Sequence, residues 1–349
     1  VHATIQAIGT AVPDQDIHTA FVDWARQRLP EREARLFDRM SARSGIAHRW
    51  SVLPLAPGSP VSDGGFYATE PHPGTGARMT LYADAAPTLA LAAIDQLAQQ
   101  CATDGITHLV VASCTGFVAP GIDQIIAARL GLSPSVERLL VGFMGCYAAV
   151  VALRSARHIV RSDPAARVLV VTVELSTLHL QASQQLEPLL AMLQFGDGAA
   201  AALVTAEPGG FTIEAPFAAT LPAAAELIRW DITDQGFAMH LSGEVPGRIA
   251  AALAEPALRA TITGDQPVDR WAVHAGGRSI LDAVEHALGL PGDALAPSRS
   301  VLAEAGNMSS ATLMFVLARL LQGEPVDHGV AMAFGPGLAA EGFHFRSAA

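Results

Sequence analysis

Apolar residues in this chain fall into two recurring patterns: short apolar runs bounded by turn residues, which predict buried strands, and longer runs with helical spacing between them. Thr4 to Gly9 is the first strand, closed by the turn chemistry of Ala11-Val12-Pro13-Asp14. A polar, arginine-rich helical region covers Arg32 to Arg49, and Val52 to Gly76, rich in Pro, Gly and Ser, predicts a surface loop. Leu81 to Gln99 has helical periodicity. Thr107 to Ser113 predicts a buried strand ending at Cys114-Thr115-Gly116, Asp123 to Leu130 a helix stopped by Gly131, and Val136 to Val141 a lead into Gly142-Phe143-Met144-Gly145-Cys146. The apolar run Ala148 to Val160 then predicts a helix, and Arg167 to Glu174 and Ala199 to Thr205 two further buried strands.

The second half repeats this order. Arg248 to Ala260 reads as helical with a break at Pro256. Arg270 to His274 ends in Ala275-Gly276-Gly277 as the earlier strand ended in Cys114-Thr115-Gly116, and Ser279 to Leu288 closes on Gly289 as its counterpart closed on Gly131. A proline-containing link leads to Gly306-Asn307, which opens the helix Ser310 to Leu321 as Gly145-Cys146 opens its own. Gly329 to Phe334 and Leu338 to Phe345 mirror the strands at Arg167 and Ala199. A duplicated α/β unit predicts two sheets around shared central helices, a five-layer αβαβα sandwich, with one half over residues 1–208 and the other over 209–349. The pseudo-twofold axis brings the helix starts at Cys146 and Asn307 face to face.

Composition narrows the function. The 349 residues are 50% hydrophobic and 16% charged with a formal net charge of -11, which disfavours a nucleic-acid partner. No apolar stretch reaches the roughly 18 residues of a membrane span, and the amino-terminal residues lack a signal-peptide pattern, so a cytoplasmic location is expected. Three cysteines without metal-ligand spacing fit a reducing compartment and imply neither a disulfide framework nor a zinc site.

Against that background a few polar residues stand out. Cys146, between a glycine-lined turn and a helix, is either a nucleophile whose pKa the helix N-terminus draws toward neutrality or a small buried hydrophobe. With His274 as base and Asn307 as amide donor it has the parts of a thiol acyl-transfer site. Arg35, Arg39 and Arg43 share one helical face, either solvated and paired with Glu31, Glu33 and Asp38 or an anchor for an anionic ligand. Cys114 reads either as a second cavity thiol that shapes or steers the intermediate or as a small packing residue at a strand end.

Five motifs, Gly145-Cys146-Tyr147-Ala148, Phe195-Gly196-Asp197-Gly198-Ala199, His274-Ala275-Gly276-Gly277, Gly306-Asn307-Met308-Ser309-Ser310 and Phe334-Gly335-Pro336-Gly337, together with Leu130 to Arg138, run through the chain in one order. In these the chain resembles the type III polyketide synthases, the group containing chalcone synthase. The resemblance implies a thiolase fold, a homodimer, and decarboxylative condensation of malonyl-CoA onto an acyl-CoA starter held on Cys146. His274 and Asn307 then support thiolate formation and decarboxylation, and no metal or redox cofactor is implied. Phe195 matches the gate between the CoA tunnel and the cavity. Arg39 and Arg43 match positions that hold CoA phosphate, Arg35 substitutes for a third, and Gly276 and Gly277 lie on the CoA side. Met239 stands where plant members have a second gate phenylalanine, and Trp230 where they have a cavity glycine. Cys114, Thr115, Ser176 and His179 align with plant cavity hydroxyls, and Ser309 lies in the asparagine motif. Ala119 replaces the methionine that reaches across the family dimer. The pieces Cys114-Thr115-Gly116-Phe117 and Trp230-Asp231 are similar to bacterial members that make alkylpyrones, alkylresorcinols or small phenols. Two other readings remain: an initiation-type β-ketoacyl carrier-protein synthase, and a non-catalytic acyl-CoA-binding scaffold.

Overall fold

A computed structural model describes residues 1–53 and 65–348. Nine strands form the main ladder, in the order Arg270–Val273, Gly329–Gly335, Ala339–Ser347, Phe211–Thr220, Thr4–Ala11, Asp197–Thr205, Val168–Leu175, His108–Ser113 and Glu137–Gly142. The ladder is two sheets joined by a narrow seam, since Thr4–Ala11 meets Phe211–Thr220 only at Thr4↔Thr212 and Ile5↔Phe211. On either side of the seam the pairing repeats. His108–Ser113 lies parallel to Val168–Leu175, which lies antiparallel to Asp197–Thr205, as Arg270–Val273, Gly329–Gly335 and Ala339–Ser347 do. The two predicted sheets are therefore present, and the seam makes them continuous.

Side-chain alternation explains the layers. From Val168–Leu175, Val168 and Val170 enter a central core, while Leu169, Val171 and Val173 face the opposite way into an outer one. A strand that is apolar on both faces needs cover on both, which is why its sequence is a continuous apolar run rather than an alternating one. The central core is built on helices Ala148–Ser162 and Ser310–Leu321, rich in Ala and Leu. One outer core packs helix Thr75–Ala98 on the first sheet, and the other packs helices Val245–Ala254 and Arg278–Leu288 on the second. Helix, sheet, helix, sheet, helix is the expected five-layer order.

Some expectations are corrected. The proline-containing link before Gly306 is helix Ala296–Ala305, because Pro297 sits in its first turn, where a missing N–H costs no hydrogen bond. That helix stands where the first half has the edge strand Glu137–Gly142, so the second sheet is one strand shorter. The predicted loop from Val52 to Gly76 lies partly outside the described residues, over 54–64, and its end is helical from Thr75. The break at Pro256 separates helices Val245–Ala254 and Pro256–Thr263. Sequence reading did not predict helix His18–Gln27, strand Phe211–Thr220 or the hairpin of Ile228–Thr233 with Gly236–Leu241, which forms its own two-stranded sheet.

Candidate active site

Cys146 lies in a short 3₁₀ turn, Gly145–Tyr147, that feeds directly into the central helix Ala148–Ser162. Gly145 has φ +71°, and a Cβ there would stand 2.6 Å from the Pro336 ring and 3.1 Å from Trp230, so only glycine fits where the turn packs against Pro336 of the second half. Burial is the largest influence on the Cys146 thiol and pushes its pKa up to about 12, against the direction given by the helix start alone; the polar groups of Ser309 and Asn307 facing it pull the other way.

The second half supplies Ser309 and Asn307, which face the thiol, and His274. Asn307 Oδ1 accepts the Ser309 N–H at 2.8 Å, holding Ser309 at φ +49°, and Asn307 Nδ2 donates to the Gly276 carbonyl at 3.2 Å. His274 ends strand Arg270–Val273 through a bond from its N–H to the Met332 carbonyl at 2.9 Å. Its imidazole is buried, neither ring nitrogen has a hydrogen-bond partner among the described residues, and burial lowers its pKa to about 3. A buried imidazole with two uncommitted nitrogens is poised to take a proton or to bind a ligand oxygen.

An apolar cavity is lined by Cys146, Cys114, Thr115 and Ser309 together with Phe195, Ser176, Met192, Ile17, Phe21, Leu53 and Tyr67. Trp230 and Met239 face each other across the hairpin register and both line it. His179 also lines it, with its pKa lowered to about 4, chiefly by burial. The cavity is thus formed by Cys146 together with every residue read from the sequence as gate or cavity lining.

The arginines lie elsewhere. Arg35, Arg39 and Arg43 are on the exposed side of helix Glu31–Ala42 and its C-cap, outside this cavity. Arg35 pairs with Glu31 at 3.7 Å, as a solvated face would, whereas Arg39 and Arg43 have no ion pair among the described residues. Arg278 Nη1 donates to the Arg43 carbonyl at 3.2 Å, which ties that helix end to the turn carrying Gly276 and Gly277.

Glu174 was missed as part of the site. Fully buried at the end of Val168–Leu175, its Oε2 accepts the Cys114 N–H at 3.0 Å, the Cys114 thiol at 3.3 Å and the Thr115 hydroxyl at 2.9 Å, while Oε1 accepts from Ser310. Burial raises its pKa despite these donors. Cys114 also lies 3.3 Å from Ser309 Oγ, so it does more than fill space. The signal was available: one carboxylate closing an otherwise apolar buried strand is expensive unless several donors surround it. Among the described residues no group of three or more His, Cys, Asp or Glu is gathered to hold a metal, and no helix is long and apolar enough to cross a membrane.

With this geometry in hand, the comparisons with known proteins are specific. Residues 1–208 match the family model of the N-terminal domain of chalcone and stilbene synthases, and residues 212–349 match that of the C-terminal domain. Among curated relatives, the "alpha-pyrone synthesis polyketide synthase-like Pks18" of Mycobacterium tuberculosis is 36% identical over 252 residues, 68% of this chain; the match spans 64% of the relative's length. The structure of PKS-I from the brown alga Ectocarpus siliculosus superposes with a TM-score of 0.88 at 29% identity, covering 99% of this chain and 98% of that one. The C-terminal type III polyketide synthase domain of Steely1 from Dictyostelium superposes with a TM-score of 0.91 at 24% identity over all of both chains, a likeness of fold.

Proposed function

Because the chain belongs to the chalcone and stilbene synthase family, we propose that it is a decarboxylating acyltransferase, a type III polyketide synthase that extends an acyl-CoA starter with malonyl-CoA and closes the product into an α-pyrone, a resorcinol or a small phenol. The observation that carries this reading is that Ser309 and Asn307 face the Cys146 thiol, which lines an apolar cavity, while the buried His274 ring has no hydrogen-bond partner among the described residues.

In the first step His274 takes the Cys146 proton and the thiolate attacks the starter carbonyl, so that a thioester forms as the CoA thiolate leaves with a proton. Malonyl-CoA then loses carbon dioxide, and hydrogen bonds from Asn307 Nδ2 and the His274 ring stabilise the enolate oxygen. The enolate carbon attacks the Cys146 thioester, the new carbon–carbon bond forms and the Cys146 thiolate is expelled. No other cofactor enters this sequence. Phe195 separates the CoA side from the cavity, and Arg39 and Arg43, with Arg35, Gly276 and Gly277, hold the CoA moiety. The apolar lining that Ile17, Phe21, Leu53 and Tyr67 contribute favours an aliphatic starter, in keeping with the α-pyrone synthesis named for the mycobacterial relative.

The halves 1–208 and 209–349 act as one site in this reading, the first giving the nucleophile and the second the base and amide. A second copy completes a homodimer. Strand Glu137–Gly142 ends the ladder with its outer edge open among the described residues, and on and beside it Leu139, Leu140, Phe143 and Phe117 are 42%, 45%, 46% and 51% exposed. An open strand edge with an apolar patch is covered by another chain or aggregates. The reaction is expected in the cytoplasm, where CoA thioesters are available.

Incubation with acyl-CoA and radiolabelled malonyl-CoA, without carrier protein, tests the reaction. Tri- or tetraketide products support it, and strict dependence on malonyl carrier protein would assign the chain to the initiation-type β-ketoacyl synthases. Mass spectrometry supplies the second arm. Failure of Cys146 to acylate with any of a broad set of CoA thioesters would leave a scaffold that only binds them.

A further inference from the structure

His179 has both ring nitrogens committed to backbone on opposite sides of the cavity wall. Nε2 lies 2.6 Å from the Thr115 carbonyl, and Nδ1 lies 3.0 Å from the Phe237 nitrogen. A carbonyl can only accept and an amide N–H can only donate, so the ring is the neutral tautomer with hydrogen on Nε2. Its face stacks on the Phe237 ring at 4.1 Å and 9°.

Thr115 is tied to strand Val168–Leu175, since its hydroxyl donates to Glu174 at 2.9 Å and accepts the Leu175 N–H at 2.8 Å. Phe237 belongs to the hairpin that carries Trp230 and Met239, which is not part of the main ladder. The tip of that hairpin is held separately: the Gly236 N–H donates to Thr75 Oγ1 at 2.8 Å and Gln181 Nε2 donates to the Gln235 carbonyl at 2.9 Å. Gly236, at φ +85°, lets the chain approach so closely that a Cβ would stand 2.9 Å from His179 Nδ1. Beyond the tip, Met239 and Trp230 form a cross-strand pair over the cavity, with Trp230 reaching the Gly145 turn beside Cys146.

We propose that His179 is a positioning residue that sets the shape of the reaction cavity, latching the wall that bears Trp230 and Met239 onto the fixed strand end at Thr115. The proposal rests on the polyketide synthase reading and adds to it a determinant of starter and product size that works through the backbone geometry of the wall, beyond the surface His179 itself presents to the cavity. A charged imidazolium would have no lone pair for the Phe237 N–H, so the latch requires the neutral ring.

Two conservative variants divide the latch. His179→Asn keeps an acceptor at the Nδ1 position and loses the donor, and His179→Gln keeps a donor at the Nε2 position and loses the acceptor. Amide hydrogen exchange at Phe237 is measured together with kcat and KM for short- and long-chain acyl-CoA starters. The Gln variant is expected to lose about five- to tenfold of the exchange protection at Phe237, as for loss of one hydrogen bond, and to shift the long-to-short starter ratio of kcat/KM about tenfold toward long chains. The Asn variant is expected to keep the exchange protection at Phe237 but to shift the starter ratio in the same direction, because it releases the wall from Thr115. His179→Ala should behave as the Gln variant does; if it fails to fold, the Asn and Gln pair still decides. A wild-type starter ratio in either variant, or wild-type protection at Phe237 in the Gln variant, would overturn the latch. Absence of any polyketide from the wild-type protein would overturn the reaction instead, and Phe237 exchange would still report on the latch.

Discussion

Asn307 and Phe195 are joined backbone to backbone across the two halves. The Asn307 N–H donates to the Gln194 carbonyl at 2.8 Å and the Gly196 N–H donates to the Asn307 carbonyl at 3.0 Å, so the residues flanking Phe195 grip Asn307 independently of its side chain. Asn307→Ala should therefore leave the Phe195 gate in place while removing the amide donor and the acceptor for the Ser309 N–H. Condensation is expected to fall about 10²- to 10³-fold, the typical cost of one oxyanion donor, with starter acylation of Cys146 retained. Single-turnover acylation followed by mass spectrometry separates the two steps, and loss of acylation equal to the loss of condensation would refute this division of labour.

The thiol of Cys146 and the imidazole of His274 are both pushed by burial toward their neutral forms, the thiol to about 12 and the imidazole to about 3. Forming either charge alone is costly; in the proposed reaction thiolate at neutral pH arises by transfer of the thiol proton to His274, giving a pair with no net charge. Iodoacetamide should accordingly alkylate wild-type Cys146 readily near neutral pH. In His274→Ala the rate should instead climb about tenfold per pH unit without a plateau up to about pH 10. Equal rates in the two proteins at neutral pH would show that His274 does not ionise the thiol. Cys146→Ala should abolish condensation while leaving CoA affinity, measured by calorimetry, unchanged.

Acid should destabilise the fold earlier than its carboxylates alone would. His18 and His179 are lowered to about 4 and His274 to about 3, all chiefly by burial, from an unfolded value of about 6.5. Between those limits the unfolded chain binds more protons at these sites, so their contribution is fully present above about pH 6.5 and is lost as pH falls through the folded values. Asp197, raised to about 7 by burial, and Glu174, also raised, act in the opposite sense, because the folded state takes up their protons first. His72, His158 and His344, all lowered, tip the balance toward the histidines. Stability should fall by about 1.4 kcal/mol per pH unit for each net proton as pH drops from about 7 to about 5. Urea midpoints at the two pH values measure this, and an unchanged or higher midpoint at the lower value would contradict it.

Charge on the open strand should separate the copies of a dimer. Leu140→Lys places an ammonium in the exposed apolar patch without disturbing the core, since Leu140 is already 45% exposed. Sedimentation should show wild-type protein as a dimer and the variant shifted to monomer with a similar melting temperature. A wild-type monomer at micromolar concentration would remove the proposed interface.

Much of the architecture was legible because burial on both faces of a strand leaves a plain record. Val168 to Leu175 reads as buried strand with no neighbour known, and the repeat of strand, glycine turn and helix placed Cys146 and Asn307 in equivalent positions. Where position depends on the partner, the record thins. The strand Phe211–Thr220 mixes Pro216 and Glu214 with apolar residues and is held chiefly by Ala339–Ser347. The hairpin at 228–241 is set by side chains far away in sequence, Thr75, His179 and Gln181, which no local periodicity reveals. The burial that outweighs the helix start at Cys146 follows from tertiary packing, which local sequence does not record.

The narrow seam between the sheets also bears on how the chain is made. Every strand of the first sheet lies within residues 4–205 and every strand of the second within 211–347, so the first sheet can be complete while the second is still being synthesised. Helix Ala148–Ser162 is the exception to that independence, because the core it enters is shared with helix Ser310–Leu321, near the end of the chain. A nascent chain paused after the first sheet thus presents an uncovered apolar helix face, the kind of surface that chaperones hold, until the second half emerges and covers it.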